Sequence, residues 1–183
     1  MVSNYNEILY QNQTIETERL LLRKFKEDDA ADLLEWGSDK ETVRLLYWPG
    51  VTTIAEARDS IFNFHLTRLG SFAVELKETK KCIGNIDLRL NSEHSKVSFG
   101  YVLNRNFWGK GYMTEVLMAI IKFSFEKLQA NRVASDHFAE NIASGRVMEK
   151  AGMKREGITK QSIKVKGMFH DQVWYGLVRD DYK

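Results

Sequence analysis

A single α+β domain built on a mixed sheet is the fold class this sequence predicts, and three observations carry it. The chain has 183 residues, the length of one ordinary domain. Short alternating strands and amphipathic helices follow one another in mixed order, and three consecutive strands are separated only by polar turns. No repeat, low-complexity tract or Pro/Gly-rich linker divides the chain. Its one proline, Pro49, sits in the loop Tyr47-Trp48-Pro49-Gly50. The expected division is a flexible segment over 1–16 and one domain over 17–183.

The elements read as follows. Residues 1–15 are Asn- and Gln-rich and are expected to be loosely ordered. Arg19 to Phe25 reads as a strand. Glu27-Asp28-Asp29 opens a helix through Leu33, Leu34 and Trp36, its acidic start suiting the positive end of the helix dipole. Thr53-Ile54-Ala55-Glu56 is a capping box for a helix carrying Ile61, Phe62, His65, Leu66 and Leu69, which Gly70 stops. Ser71–Leu76, Cys82–Leu90 and Val97–Leu103 form an antiparallel meander. A long helix follows, its inner face marked by Met113, Val116, Leu117, Ile120, Ile121, Ser124 and Leu128. Asn131–Phe138 is a strand, Ala143–Lys150 a short helix ended by Gly152, and Ile158–Val165 with Val173–Val178 a hairpin around Lys166-Gly167.

Composition narrows the function. Apolar residues make up 43% and charged residues 28%, which excludes a disordered or fibrous chain. Lys and Arg number 27 against 25 Asp and Glu, a balance that argues against direct binding of nucleic acid. The sum hides opposed ends. The first 18 residues hold only acidic charges (Glu7, Glu16, Glu18), whereas 150–166 hold six basic residues against Glu156. That basic stretch reads either as a solvated hairpin edge or as an attraction for an acidic partner. Cys82 is the sole cysteine, so an intrachain disulfide or a cysteine metal cluster is excluded, and four scattered histidines suggest no metal site. The start Met1–Glu7 has neither the basic beginning nor the apolar run of a signal peptide, and no apolar run is long enough to span a bilayer. A cytoplasmic location without a membrane partner is expected.

The chemistry sits in Trp108-Gly109-Lys110-Gly111-Tyr112-Met113-Thr114-Glu115, between a strand and the long helix. Two glycines there permit a tight turn and bare successive N–H groups at the positive helix end, a recipe for a phosphate or pyrophosphate site. The same glycines also suit a plain strand-to-helix turn. A Walker loop needs Gly-x-x-x-x-Gly-Lys-Ser/Thr and a Rossmann turn needs a third glycine, and neither is present.

Phe99-Gly100-Tyr101-Val102-Leu103 followed by Phe107 to Glu115 resembles the acetyl-CoA-binding motif of GCN5-related N-acetyltransferases. The family pattern is Gln/Arg-x-x-Gly-x-Gly/Ala. Trp108 fills the first slot, Gly111 the central one and Met113 the last, so two of these slots are substituted. Trp-Gly-x-Gly-Tyr is nevertheless the spelling of the RimJ/RimL-like ribosomal-protein N-terminal acetyltransferase branch. Thr17 to Arg23, Asn141-Ile142-Ala143-Ser144, Ala151 to Gly157 and the tail from Gly167 to Tyr175 resemble further segments of that branch.

The resemblance implies a GNAT fold: about seven strands, mostly antiparallel and splayed in the middle, with about four helices. It implies acetyl-CoA as co-substrate and no metal. The backbone from Trp108 through Gly109, Lys110, Gly111, Tyr112 and Met113 to Thr114 would hold the pyrophosphate. The main chain of Tyr101, Val102 and Leu103 would pair with the pantetheine arm, and Asn141 would bond it. Ser144 would protonate the departing thiolate, although Asn141 and Ser144 are also good helix N-caps. A backbone N–H near Tyr101 or Val102 would serve the oxyanion. The family's usual base positions carry Ser98 and Ile163 here, leaving Glu75, Asp87, Asp136, His137 or water as proton acceptor. An α-amine has a pKa of about 7.7–8.0 against about 10.4 for lysine, so a weak base points to a protein N-terminus such as that of a ribosomal protein. Trp36, Trp48 and Phe64 are candidates to line the acceptor pocket and are equally candidates for the core. A small amine is the alternative acceptor; Glu35, Asp39 and Glu41 would line a polyamine site. A non-catalytic acyl-CoA-binding module is the other alternative. The family also suggests a homodimer through the terminal strands.

Overall fold

The computed structural model describes residues 4–183. Numbered in chain order, the helices are α1 (Tyr5–Gln11), α2 (Ala30–Gly37), α3 (Lys40–Val43), α4 (Ile54–Ser60), α5 (Tyr112–Glu126) and α6 (Ile142–Lys150). The strands are β1 (Ile15–Glu16), β2 (Leu20–Arg23), β3 (Ser71–Leu76), β4 (Cys82–Asn91), β5 (Lys96–Leu103), β6 (Arg132–Phe138), β7 (Lys154–Val165) and β8 (Met168–Val178). All eight form one sheet in the order β1-β2-β3-β4-β5-β6-β8-β7. Only β5 and β6 run parallel, joined by the α5 crossover. The mixed, mostly antiparallel sheet and the meander over β3, β4 and β5 are as the sequence predicts.

The counts exceed the expectation because of short elements. β1 has two residues and α3 four. The expectation of a flexible start is corrected by α1, which Asn4 caps and which buries Tyr5 and Leu9 against the main core. Those two residues are one helical turn apart and share a face, but the Asn and Gln between them made the composition look loose. Met1, Val2 and Ser3 of that segment lie outside the described residues.

The sheet separates two cores. On one face Leu20, Leu22, Phe72, Val74 and Ile86 meet α5, whose Val116, Leu117 and Ile120 are fully buried. Each such aliphatic side chain stabilises the fold by roughly 1.5–3 kcal/mol. On the other face Ala73, Cys82 and Val102 meet Leu33 and Trp36 of α2 and Ala57 of α4. The alternation of strand side chains sends one set to each helical layer.

Two features of the sheet position the site. The β5–β6 ladder pairs Lys96 with Arg132, Val97 with Val133 and Ser98 with Ala134, and then stops. Ser135 Oγ donates to the Phe99 carbonyl at 2.7 Å, and beyond it the strands diverge. The second feature is a buried ion cluster. Arg23 Nε donates to Glu75 Oε2 at 2.6 Å, and its Nη1 and Nη2 grip Asp29 at 2.7 Å each. This joins β2 and β3 to the turn that starts α2. It also removes Glu75 from the list of proton acceptors, because the carboxylate is buried and spent on Arg23.

Arg23→Ala leaves Asp29 and Glu75 buried with only Lys80, 3.9 Å from Glu75, as a counter-charge, and a loss of about 3–5 kcal/mol in unfolding free energy is expected. Denaturant titration of this variant measures it; a loss below about 1 kcal/mol would show that the cluster is not what anchors α2.

Candidate active site

The turn before α5 is built by backbone conformation. Gly109 and Gly111 take φ of 75° and 80°, a region that other residues enter only at a cost. Gly111 caps the helix in this left-handed form. The main-chain N–H groups from Gly109 to Thr114 meet no protein acceptor among the described residues. They lie at the positive end of a 15-residue helix, the arrangement that attracts an anion. Trp108 is exposed at the start of the turn, with its Nε1 donating to the Leu103 carbonyl at 2.7 Å. Met113 turns its side chain into the core, so only its backbone is offered.

The turn is clamped from a distance by a residue that motif reading missed. Arg19 donates through Nη1 to the Lys110 carbonyl at 3.0 Å and through Nε to Glu115 Oε2 at 2.7 Å. Its guanidinium also lies 4.5 Å from the centre of the Tyr112 ring. Glu115 further accepts from Thr17 Oγ1 at 2.6 Å and from the Arg19 N–H at 2.8 Å. These donors outweigh burial and hold the Glu115 carboxyl below its ordinary pKa. No local signal links Arg19 to Glu115, which is 96 positions away.

A cavity of about 750 Å³ opens where β5 and β6 diverge. Of the predicted residues, Tyr101, Val102, Asn141 and Ser144 line it; Leu103 and the turn from Trp108 to Thr114 lie outside it, further along β5. Asn141 is the N-cap of α6, its Oδ1 accepting from the Ser144 N–H at 3.2 Å. The capping reading therefore holds for Asn141. Ser144 does not cap. Its Oγ lies 2.7 Å from the Tyr101 hydroxyl, which donates to the Ser144 carbonyl at 3.0 Å. Either hydroxyl can donate between Ser144 and Tyr101. Burial pushes the Tyr101 phenol well above its ordinary pKa.

Trp36, Trp48 and Phe64 line the cavity; Trp36 is also buried in the second core, with Trp48 packed against that core. Glu35, Asp39 and Glu41 do not: Glu35 is held by Lys81 at 2.5 Å and Asn104 at 2.9 Å, Asp39 caps α3, and Glu41 pairs with Arg44 at 3.2 Å. Asp87, Asp136 and His137 do line it. Asp136 Oδ2 accepts from Tyr47 at 2.5 Å and from Gln172 Nε2 at 2.8 Å, which ties the Tyr47 loop over β6 and β8. His137 donates from Nδ1 to the Phe138 carbonyl at 2.7 Å, and its buried Nε2 meets no partner. Asp87 accepts from Ser71 Oγ at 2.5 Å and from Asn85 Nδ2 at 2.7 Å. Burial outweighs these donors and raises its pKa. Among the described residues no cluster of His, Cys, Asp and Glu is arranged to hold a metal ion.

Behind Asp87, His65 Nδ1 lies 2.7 Å from Ser71 Oγ and its ring stacks on Phe25 at 4.0 Å. Burial, and then Arg68, lower the His65 pKa to about 4. An unfolded chain takes up this proton near pH 6.5, the folded one only near pH 4. Folding stability from this residue is thus complete above about pH 6.5 and is lost as pH falls to about 4, by about 3 kcal/mol. Unfolding free energies at pH 7 and pH 4.5 check this: the fall is expected to be smaller in His65→Gln, and equal falls in both proteins would rule it out.

Similarity to known proteins runs along the chain. Residues 19–154 match the family described as the acetyltransferase (GNAT) domain. The chain is 30% identical over 175 residues to the uncharacterized N-acetyltransferase p20 of Bacillus licheniformis, covering 93% of this chain and 98% of that one. It is 28% identical over 83 residues to the [ribosomal protein uS5]-alanine N-acetyltransferase of Escherichia coli (strain K12), covering 45% and 43%. The crystal structure of the GNAT-family acetyltransferase from Bacillus anthracis superposes with a TM-score of 0.82 at 30% identity, over 91% of this chain and 99% of that one. The match spans the glycine turn, the parting strands and α6, and the chain belongs to the GNAT family: it is an N-acetyltransferase whose acyl donor is acetyl-CoA.

Proposed function

We propose that this enzyme acetylates the N-terminal α-amine of a protein or peptide. The observation that carries the reading is the cavity, which is lined by the Tyr101–Ser144 hydroxyl pair and does not include the glycine turn. The cavity has the volume of a ligand site and is wide enough for an amino-terminal residue and its neighbour. The uS5-alanine activity of the Escherichia coli relative supports an α-amine acceptor. A ribosomal protein is the acceptor class this suggests.

In the reaction the neutral amine nitrogen attacks the thioester carbonyl. A tetrahedral oxyanion forms, the C–S bond breaks, and the thiolate needs a proton while the nitrogen must lose one. The N–H groups from Gly109 to Thr114 would bind the pyrophosphate. The edge of β5 at Tyr101, Val102 and Leu103, left without a strand partner, would bond the pantetheine amides. The Ser144 hydroxyl, held in place by Tyr101, would give its proton to the thiolate and regain one from solvent as CoA leaves. Asp87 would take the proton from nitrogen. Its pKa is raised, but it remains a weak base and is unsuited to stripping a lysine ammonium. At pH 7.5 roughly a third of an α-amine is already neutral, against about 0.1% of a lysine.

Two substitutions separate binding from chemistry. Arg19→Ala releases the glycine turn, so KM for acetyl-CoA should rise about tenfold with kcat nearly kept. Ser144→Ala should lower kcat about a hundredfold with KM for acetyl-CoA nearly kept. Steady-state thiol release measures both, and a kcat unchanged in Ser144→Ala would exclude the acid role.

Matched peptides test the acceptor, one with a free N-terminus and an acetylated lysine, the other with the reverse. The first should be strongly preferred, its kcat/KM levelling above about pH 8. A preference for the lysine peptide, or a profile still climbing past about pH 10, would overturn the α-amine reading.

A further inference from the structure

Two arginines at the cavity are unaccounted for by the chemistry above. Four carboxylates line the cavity with them, and three already hold donors. Asp87 is bonded by Ser71 and Asn85, Asp136 by Tyr47 and Gln172, and Glu56 by the Thr52 N–H at 2.6 Å and hydroxyl at 3.0 Å. Arg68 and Arg89 have no ion pair and no side-chain hydrogen bond among the described residues. Both side chains are exposed at the mouth of the cavity, and a guanidinium presents five N–H donors in a planar fork suited to a carboxylate.

Their placement is definite. The Arg68 guanidinium lies over the Phe64 ring, 4.0 Å from its centre. Arg89 follows Asp87 by two positions on β4, so both side chains leave the same face of the sheet. The Arg89 fork lies over Gly100 of β5: a Cβ at Gly100 would stand 3.7 and 3.9 Å from its Nη2 and Nη1. Gly100 adjoins Tyr101, so this charge stands beside the parting of the strands. Both arginines are near enough to the Asp87 carboxylate to act on it through their charge.

We propose that Arg68 and Arg89 form an anion subsite for the acceptor, taking a carboxylate that the acceptor carries close to its reacting amine. This rests on the peptide α-amine reading and narrows it to N-termini with an acidic side chain at the second or third residue. Asp87 and Asp136 draw the amine inward, and the two guanidiniums fix the acid beside it. A polyamine, with positive charge where the acid should be, is disfavoured.

Amidated tetrapeptides that differ only in Glu, Gln or Lys at the second residue test the subsite with the full enzyme and acetyl-CoA. The Glu peptide should exceed the Gln peptide about tenfold in kcat/KM, mainly through KM, with the Lys peptide lowest. R68Q/R89Q should remove the ranking while leaving KM for acetyl-CoA unchanged, and R89E should favour the Lys peptide. Equal rates on Glu and Gln peptides, or a ranking that survives R68Q/R89Q, would overturn the subsite. If no peptide is acetylated while other amines are, the α-amine reading falls by itself. The subsite is then read from free aspartate against asparagine, as acceptors or as competitors of the accepted amine. A preference for aspartate that R68Q/R89Q abolishes supports it, and equal behaviour overturns it.

Discussion

The parallel ladder between β5 and β6 lasts three residue pairs and ends where Ser135 turns its hydroxyl onto the Phe99 carbonyl. Had the pairing continued, the backbone edge of β5 from Gly100 to Leu103 would be buried against β6 and the cavity would not exist. A parted sheet leaves donors and acceptors unpaired, and buried backbone groups tolerate that only where another partner takes them. The hydroxyl of Ser135 takes the carbonyl of Phe99, the first residue past the ladder. Beyond it the gap is held open by contacts to other elements: Tyr101 reaches to Ser144 of α6, and Asp136 to Tyr47 and Gln172.

Each side of the gap uses a different kind of electrostatics. At the glycine turn the charge is that of the backbone: free N–H groups at a helix end, held in place by the Arg19–Glu115 clamp. At the cavity the charge is carried by side chains, with carboxylates near the arginines of β4 and of the segment after α4. A common cofactor suits the first, because main-chain groups present the same face whatever the side chains are. An acceptor that differs between family members suits the second, because side chains change without disturbing the sheet.

The local elements were readable because each has a local cause. The burial of Val116, Leu117, Ile120 and Ile121 on one face of α5 follows from their spacing alone. The positive φ of Gly109 and Gly111 follows from what glycine permits. The start of the chain was not readable, because Tyr5 and Leu9 become a helix face only when a core is there to cover them. Among the acidic residues the same limit applied: Glu75 and Asp87 both lie on alternating strands, yet one closes an ion cluster with Arg23 and the other faces the cavity.

By itself the sequence determined the fold class, the glycine turn and the family, since these rest on spacing, on residue type and on motifs within short windows. Only the tertiary structure decided which charged groups share a space. Arg19 meets Glu115 across the fold, His65 and Ser71 back Asp87, and Arg89 lies over Gly100. These pairings are set by strand register and by which helix covers which face of the sheet, and neither is encoded within a local window.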